Sequence, residues 1–69
     1  MNKFFVSYAY VGKIKGYDNI YKGYDNAYVS KGLFPENEEE MEELTNKINE
    51  ITCKKLGLDV VSCTIICYK

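Results

Sequence analysis

Residues 37–57 have the sequence NEEEMEELTNKINEITCKKLG, and this stretch decides the fold because it contains both ends of one helix. Asn37 is a favourable N-cap, and Glu40 three positions later completes a capping-box pattern. Gly57 is a typical C-terminal stop. Apolar residues recur between these ends at close to helical spacing and give one stripe: Met41, Leu44, Ile48, Ile51 and Leu56. The pattern predicts an α-helix over residues 38–56.

Strand-like segments flank this helix in the sequence. Residues 4–11, FFVSYAYV, are mostly aromatic or β-branched and predict a first strand, which the glycine-bracketed turn at residues 12–16 ends. Residues 59–68, DVVSCTIICY, predict a last strand. One face of this last strand is uniformly apolar and should lie under the helix: Val61, Cys63, Ile65 and Cys67.

Residues 17–30 are ambiguous, because strand-forming residues alternate with turn-forming ones. We expect one long strand that is bulged or broken near Gly23; the alternative is two short strands with a turn at residues 25–26. The sequence GYDN occurs at residues 16–19 and again at 23–26. The odd offset would place the two copies on opposite faces of a regular strand. Either one copy is a turn, therefore, or a bulge intervenes.

The predicted order of elements is β-β-α-β, an α+β fold in a single domain of residues 1–69. A helical crossover would return strand 3 parallel to strand 2, with both antiparallel to strand 1. We therefore expect a three-stranded sheet in the order 2-1-3, with the helix packed on one face. The other face would be left open.

The cysteines and the charge pattern limit what can stabilise so short a chain. The cysteine count is odd, and Cys63 and Cys67 would lie roughly 13 Å apart in a strand, too far for a disulfide. The sequence contains no histidine and no closely paired cysteines, so it does not indicate a metal site. With no predicted signal peptide or membrane span, we expect reduced cysteines and a cytoplasmic location. Association through the open face is the remaining means of stabilisation.

Tyrosines are the first candidate for a binding surface. Seven occur among 69 residues. If the mixed face of the last strand is the open one, a band of tyrosines lines it. Tyrosine gives a large contact area at low entropy cost, and the alternative is that these rings fill the edges of the core. The candidate residues are Tyr8, Tyr10, Tyr24, Tyr28 and Tyr68.

A block of glutamates at the start of the helix is the second candidate. Residues 36–50 carry seven glutamates against one lysine, whereas the flanking segments are mildly basic. Such a block suits the helix dipole and solvent. It would also suit docking to a basic partner, with Glu38, Glu39 and Glu42 as the contact residues.

The strand at residues 4–10, the two Gly-x-x-Asn elements and the Pro35-x-Asn37 helix start resemble short proteins of phages and mobile elements of low-GC Gram-positive bacteria. The resemblance covers most of the chain and rests on structural features. Some proteins of this kind inhibit bacterial defence systems, by binding an effector protein or sequestering a signalling nucleotide. The resemblance therefore implies a non-enzymatic binding protein that acts on a host protein, and it carries over no functional residues.

Two other functions follow from the residues themselves. The tyrosines with Lys13, Lys15 and Lys22 could form a small module that binds nucleic acid or a nucleotide, although nine lysines, no arginine and a net charge of −1 disfavour duplex DNA. The open face could instead be the interface of a homo-oligomer. An enzyme has the least support, because Cys53 is a lone thiol and no histidine, phosphate-binding glycine loop or nucleophile elbow occurs. We expect no cofactor.

Overall fold

The computed structural model describes residues 2–69 and has the expected α+β architecture. Its sheet has the order β2-β1-β3, and both outer strands run antiparallel to β1. One helix packs on one face of this sheet, as the sequence predicts. The elements are β1 (Lys3–Lys13), β2 (Tyr21–Ser30), a short 3-10 turn η1 (Lys31–Leu33), α1 (Glu38–Leu56) and β3 (Val60–Tyr68).

The helix begins and ends where its caps predict. The side chain of Asn37 accepts a hydrogen bond from the backbone N–H of Glu40 at 2.9 Å. The carboxylate of Glu40 reaches back and accepts from the backbone N–H of Glu36 at 2.9 Å, one residue earlier than in a standard capping box. Gly57 has the left-handed conformation, with φ of 68°, that ends many helices. These contacts confirm the helix over residues 38–56.

Strand β2 is regular, so the expected bulge or break near Gly23 is wrong, and so is the alternative turn at residues 25–26. Pairing with β1 runs without a shift from Gly12↔Tyr21 to Lys3↔Ser30. Gly23 has a packing role instead, because a Cβ there would lie 2.9 Å from the Tyr10 hydroxyl. The first GYDN copy lies in the loop before β2, which is one of the two outcomes expected from the odd offset.

The irregularity lies in β3. Ser7 pairs with Cys67, but the next residue, Tyr8, pairs with Ile65, so Ile66 is an extra residue in the ladder. This β-bulge exchanges the faces of the residues that follow it. Cys67 is therefore exposed opposite Ser7 and does not lie under the helix as predicted, whereas Tyr68 turns to the helix side.

The core lies between α1 and the helix-facing side of the sheet. From α1 it takes the fully buried Leu44, Ile48 and Thr52. Leu56 continues the predicted stripe but remains 39% exposed, because it is the last helical residue. The buried residues contributed by the strands are Phe4, Val6, Tyr8, Val29 and Cys63.

A small polar network connects the helix to the centre of this core. The Thr52 hydroxyl lies 2.8 Å from the carbonyl oxygen of Ile48 and 3.1 Å from the Tyr8 hydroxyl. A carbonyl can only accept, so the Thr52 proton goes to Ile48 and the Tyr8 hydroxyl donates to Thr52. The Cys63 thiol donates to the same Thr52 oxygen at 3.5 Å. Thr52 thus joins β1, α1 and β3.

Thr52→Val should destabilise the fold by about 1–3 kcal/mol, because it leaves the buried Tyr8 hydroxyl without its partner. Thr45→Val is a matched control, since Thr45 makes the same hydroxyl bond to the carbonyl four residues earlier but contacts no buried hydroxyl. Urea unfolding measures both. The double variant Tyr8→Phe/Thr52→Val should recover part of the loss, and a loss no larger than that of Thr45→Val would contradict the network's role.

Gly12→Ala should destabilise the fold by about 1–3 kcal/mol through overpacking. Gly12 is a buried residue of β1 that pairs with Val61 of β3, and an added Cβ would lie 2.6 Å from Val61 Cγ2 and 2.7 Å from the carbonyl oxygen of Val60. The control is Gly32→Ala, whose Cβ would approach nothing closer than Ser30 Oγ at 3.7 Å. Thermal unfolding should separate the two variants, and equal melting temperatures would disprove the close approach.

Candidate binding surface

The five candidate tyrosines do not form one band, because the structure divides them between the two faces of the sheet. Tyr8 is fully buried under α1, and Tyr10 is half-buried on the same side. Tyr68 joins them because of the bulge and packs edge-on to Phe34, at 5.2 Å between ring centroids. Tyr24 and Tyr28 alone lie on the other face, where they are 81% and 67% exposed.

We call this second face, which α1 does not cover, the open face. Its rows follow from the alternation of side chains along each strand. Phe5 pairs with Tyr28, and their rings meet edge-on at 5.6 Å. Ala9 pairs with Tyr24 on one side and with Thr64 on the other. The strand residues of the open face are Phe5, Ser7, Ala9, Val11, Lys22, Tyr24, Asn26, Tyr28, Val60, Ser62, Thr64 and Cys67.

Two shallow hollows lie on the open face. The larger, of about 430 Å³, runs along β1 and β2 beside Ala9, Lys22 and Tyr24. The smaller, of about 250 Å³, has almost wholly apolar walls that include Val11, Ile20 and Val60. Ile20 comes from the loop before β2 and is 67% exposed. The chain therefore presents apolar side chains to solvent around a defined depression.

The open face and the start of the helix differ in charge. Three lysines belong to the strands of the open face: Lys22 and, at the two ends of β1, Lys3 and Lys13. Among the strand residues described within 2–69, no carboxylate lies on this face. The candidate glutamates lie on the helix, and all are exposed in its first two turns: Glu38, Glu39 and Glu42. The tyrosine and glutamate candidates therefore belong to different surfaces.

On each edge of the sheet, one backbone N–H is hydrogen-bonded to a side chain of the same chain. On the β2 edge, the Asp25 carboxylate accepts from the backbone N–H of Asn26 at 2.8 Å. On the β3 edge, the Asn49 amide oxygen accepts from the backbone N–H of Cys63 at 2.9 Å. Partners of this kind reduce the tendency of an edge strand to pair with another chain.

The Asp25 side chain is held in place by the helix. Its second oxygen lies 2.9 Å from Lys55 Nζ. The hydrogen bond from Lys55, followed by that from the Asn26 N–H, lowers the pKa of Asp25 below its usual value of 3.8. Asp25 thus connects β2 to the end of α1.

The cysteines offer no chemistry at the open face beyond one exposed thiol. All three are unpaired: Cys53 is half-buried, Cys63 buried and Cys67 exposed. Burial raises the pKa of the Cys63 thiol, which disfavours its thiolate. Within residues 2–69 no group of three or more metal-ligating side chains occurs, and no helix is long and apolar enough to cross a membrane.

Sequence reasoning missed the apolar half of the open face. It named Tyr24 and Tyr28, and it grouped Lys22 and Lys13 with them as a possible ligand site. It did not single out Phe5, Val11, Ile20 or Val60. A signal for the first two exists in the alternation of β1, where every second residue from Phe5 faces away from Phe4 and Val6.

Comparisons with known proteins return no match: no protein-family model, no curated protein and no solved structure is significantly similar to this chain.

Lys55→Met should raise the pKa of Asp25 back toward 3.8, because it removes the strongest cause of the shift. The folded-state pKa of Asp25 lies below the unfolded value, so the ion pair stabilises the fold above pH 3.8, and this contribution is lost as the pH falls through the lower folded value. NMR titration of the Asp25 carboxyl carbon measures the shift. Lys54→Met is the control, since Lys54 pairs with Glu50 instead; an Asp25 pKa that is the same in wild type and Lys55→Met would refute the pairing.

Proposed function

We propose that this chain is a non-enzymatic binding protein of a phage or mobile element, that it inhibits a host defence system, and that the open face is its contact surface. The observation that carries the choice of surface is the exposure of Tyr24 and Tyr28 on a sheet face that no helix or strand of residues 2–69 covers. Exposed aromatic rings surrounded by polar residues are typical of interaction sites. The link to phage proteins and to defence rests on the resemblance of the sequence.

The geometry supports binding more than catalysis. The hollows of the open face are shallow, and their walls carry tyrosine, lysine and aliphatic side chains. The buried tyrosine, Tyr8, is used by the core network and is not accessible to a ligand. A flat, aromatic and mildly cationic surface suits a macromolecular partner, for which we favour a protein component of the defence system.

The double variant Tyr24→Ala/Tyr28→Ala should weaken binding of the partner by about 10- to 100-fold, because central exposed tyrosines are common hot spots of interfaces. It should also abolish protection of a phage from the defence system, measured as plating efficiency on a Gram-positive host that expresses the chain. Both side chains are exposed, so the fold should be retained, which circular dichroism can verify.

Tyr17→Ala is the matched control, since Tyr17 is 65% exposed but lies in the loop between β1 and β2. It should leave plating efficiency unchanged. Glu38→Lys/Glu42→Lys tests the acidic helix start independently. Equal protection by wild type and the tyrosine double variant, with loss in the glutamate variant, would move the contact surface from the open face to the helix.

A further inference from the structure

We infer that the open face takes an acidic segment of a protein partner, with one apolar side chain seated in the hollow between Val11, Ile20 and Val60 and carboxylates beside Lys13 and Lys22. This inference rests on the proposed function, since it specifies the chemistry of the partner at the same surface. It is drawn from the position of the apolar hollow relative to the lysines.

The smaller hollow is suited to an apolar anchor. Its volume of about 250 Å³ can hold one aliphatic or aromatic side chain, and its walls are nearly all apolar. Val11, Ile20 and Val60 are 49%, 67% and 57% exposed, so each can lose further contact with water. Seating a side chain among them buries apolar surface on both partners, which is the main favourable term in association.

The lysines favour a partner of negative charge, since the carboxylate of Asp59, the residue before Val60, already accepts a hydrogen bond from the backbone N–H of Lys15 at 2.7 Å. Lys13 lines the smaller hollow and Lys22 the larger. Their neighbours across the strands are Val60 and Val11, and none of the ion pairs within residues 2–69 uses either lysine. A partner with Asp or Glu on both sides of its anchor would meet these ammonium groups, and complementary charge favours the correct partner.

A protein segment fits these features better than a nucleic acid strand does. Binding of a single strand needs a cationic groove along its path together with stacking rings. This chain carries a net charge of −1, and its glutamates are concentrated on α1. The aliphatic hollow would contribute nothing to phosphate or sugar contacts. A second copy packed face to face would offer these lysines no carboxylate from the strand residues of its own open face, so a symmetric dimer through this face gains no ion pair there.

The test is selection of peptides from a random 16-residue library displayed on phage, against the full chain. Selected peptides should be enriched in Asp and Glu around one Leu, Ile or Phe. Their affinity should fall by about tenfold in Lys13→Glu/Lys22→Glu and should decrease as salt rises. Lys54→Glu, which reverses an exposed charge on the helix, should bind them as wild type does. Oligo(dT) of 20 nucleotides is tested in parallel, and light scattering measures self-association.

The outcomes separate this inference from the function on which it rests. Neutral or basic peptides that lose binding in Tyr24→Ala/Tyr28→Ala would overturn the acidic partner but keep the open face as the contact surface. Peptides that bind wild type and Tyr24→Ala/Tyr28→Ala equally would overturn both the acidic partner and the open face as the contact surface. A selection that yields no peptides would do the same. Salt-sensitive binding of oligo(dT) that needs Lys22, or a stable dimer that blocks peptide binding, would replace the proposed partner with a nucleic acid or with a second copy.

Discussion

One helix of 19 residues can cover one face of a three-stranded sheet, and in this chain that constraint determines the rest. The covered face is the one on which Val6 and Tyr8 pack in one core with Leu44 and Ile48 of α1. Beneath the helix the hydroxyl of Thr52 contacts Tyr8 of β1 and Cys63 of β3. The residues that alternate with Tyr8 along β1 must then face away from the core. The open face, which carries the proposed contact surface, is thus a consequence of how α1 packs on the sheet.

The sequence was sufficient for the architecture because its signals are local. Asn37 and Gly57 mark the two ends of the helix, because each caps it through contacts with a few neighbouring residues. The strand order follows from the helical crossover, which returns β3 parallel to β2 and so places β1 between them. The irregularity was misplaced for a physical reason: Gly23 is a common marker of a bulge, but here it makes room for the Tyr10 ring, a contact between two strands that no local pattern shows.

The candidate binding surface was harder to predict, because it depends on the side of the sheet to which each side chain points. The bulge at Ile66 moved Tyr68 to the helix side and Cys67 to the open face, and an extra residue of this kind leaves no mark in the alternation of apolar residues. Tyr8 was grouped with exposed tyrosines, yet Thr52 supplies the partner that permits its burial. Polar partners of this kind come from distant segments and are visible only in the folded chain.

The two side chains that accept hydrogen bonds at the sheet edges, Asn49 and Asp25, both depend on α1 for their position. Asn49 belongs to α1, and Asp25 is held by Lys55 of α1. If α1 detached while the sheet persisted, the Cys63 N–H would lose Asn49 and Asp25 would lose Lys55, which would leave both edges more available for pairing with another chain. The docking of α1 thus protects the edges of the sheet as well as its core.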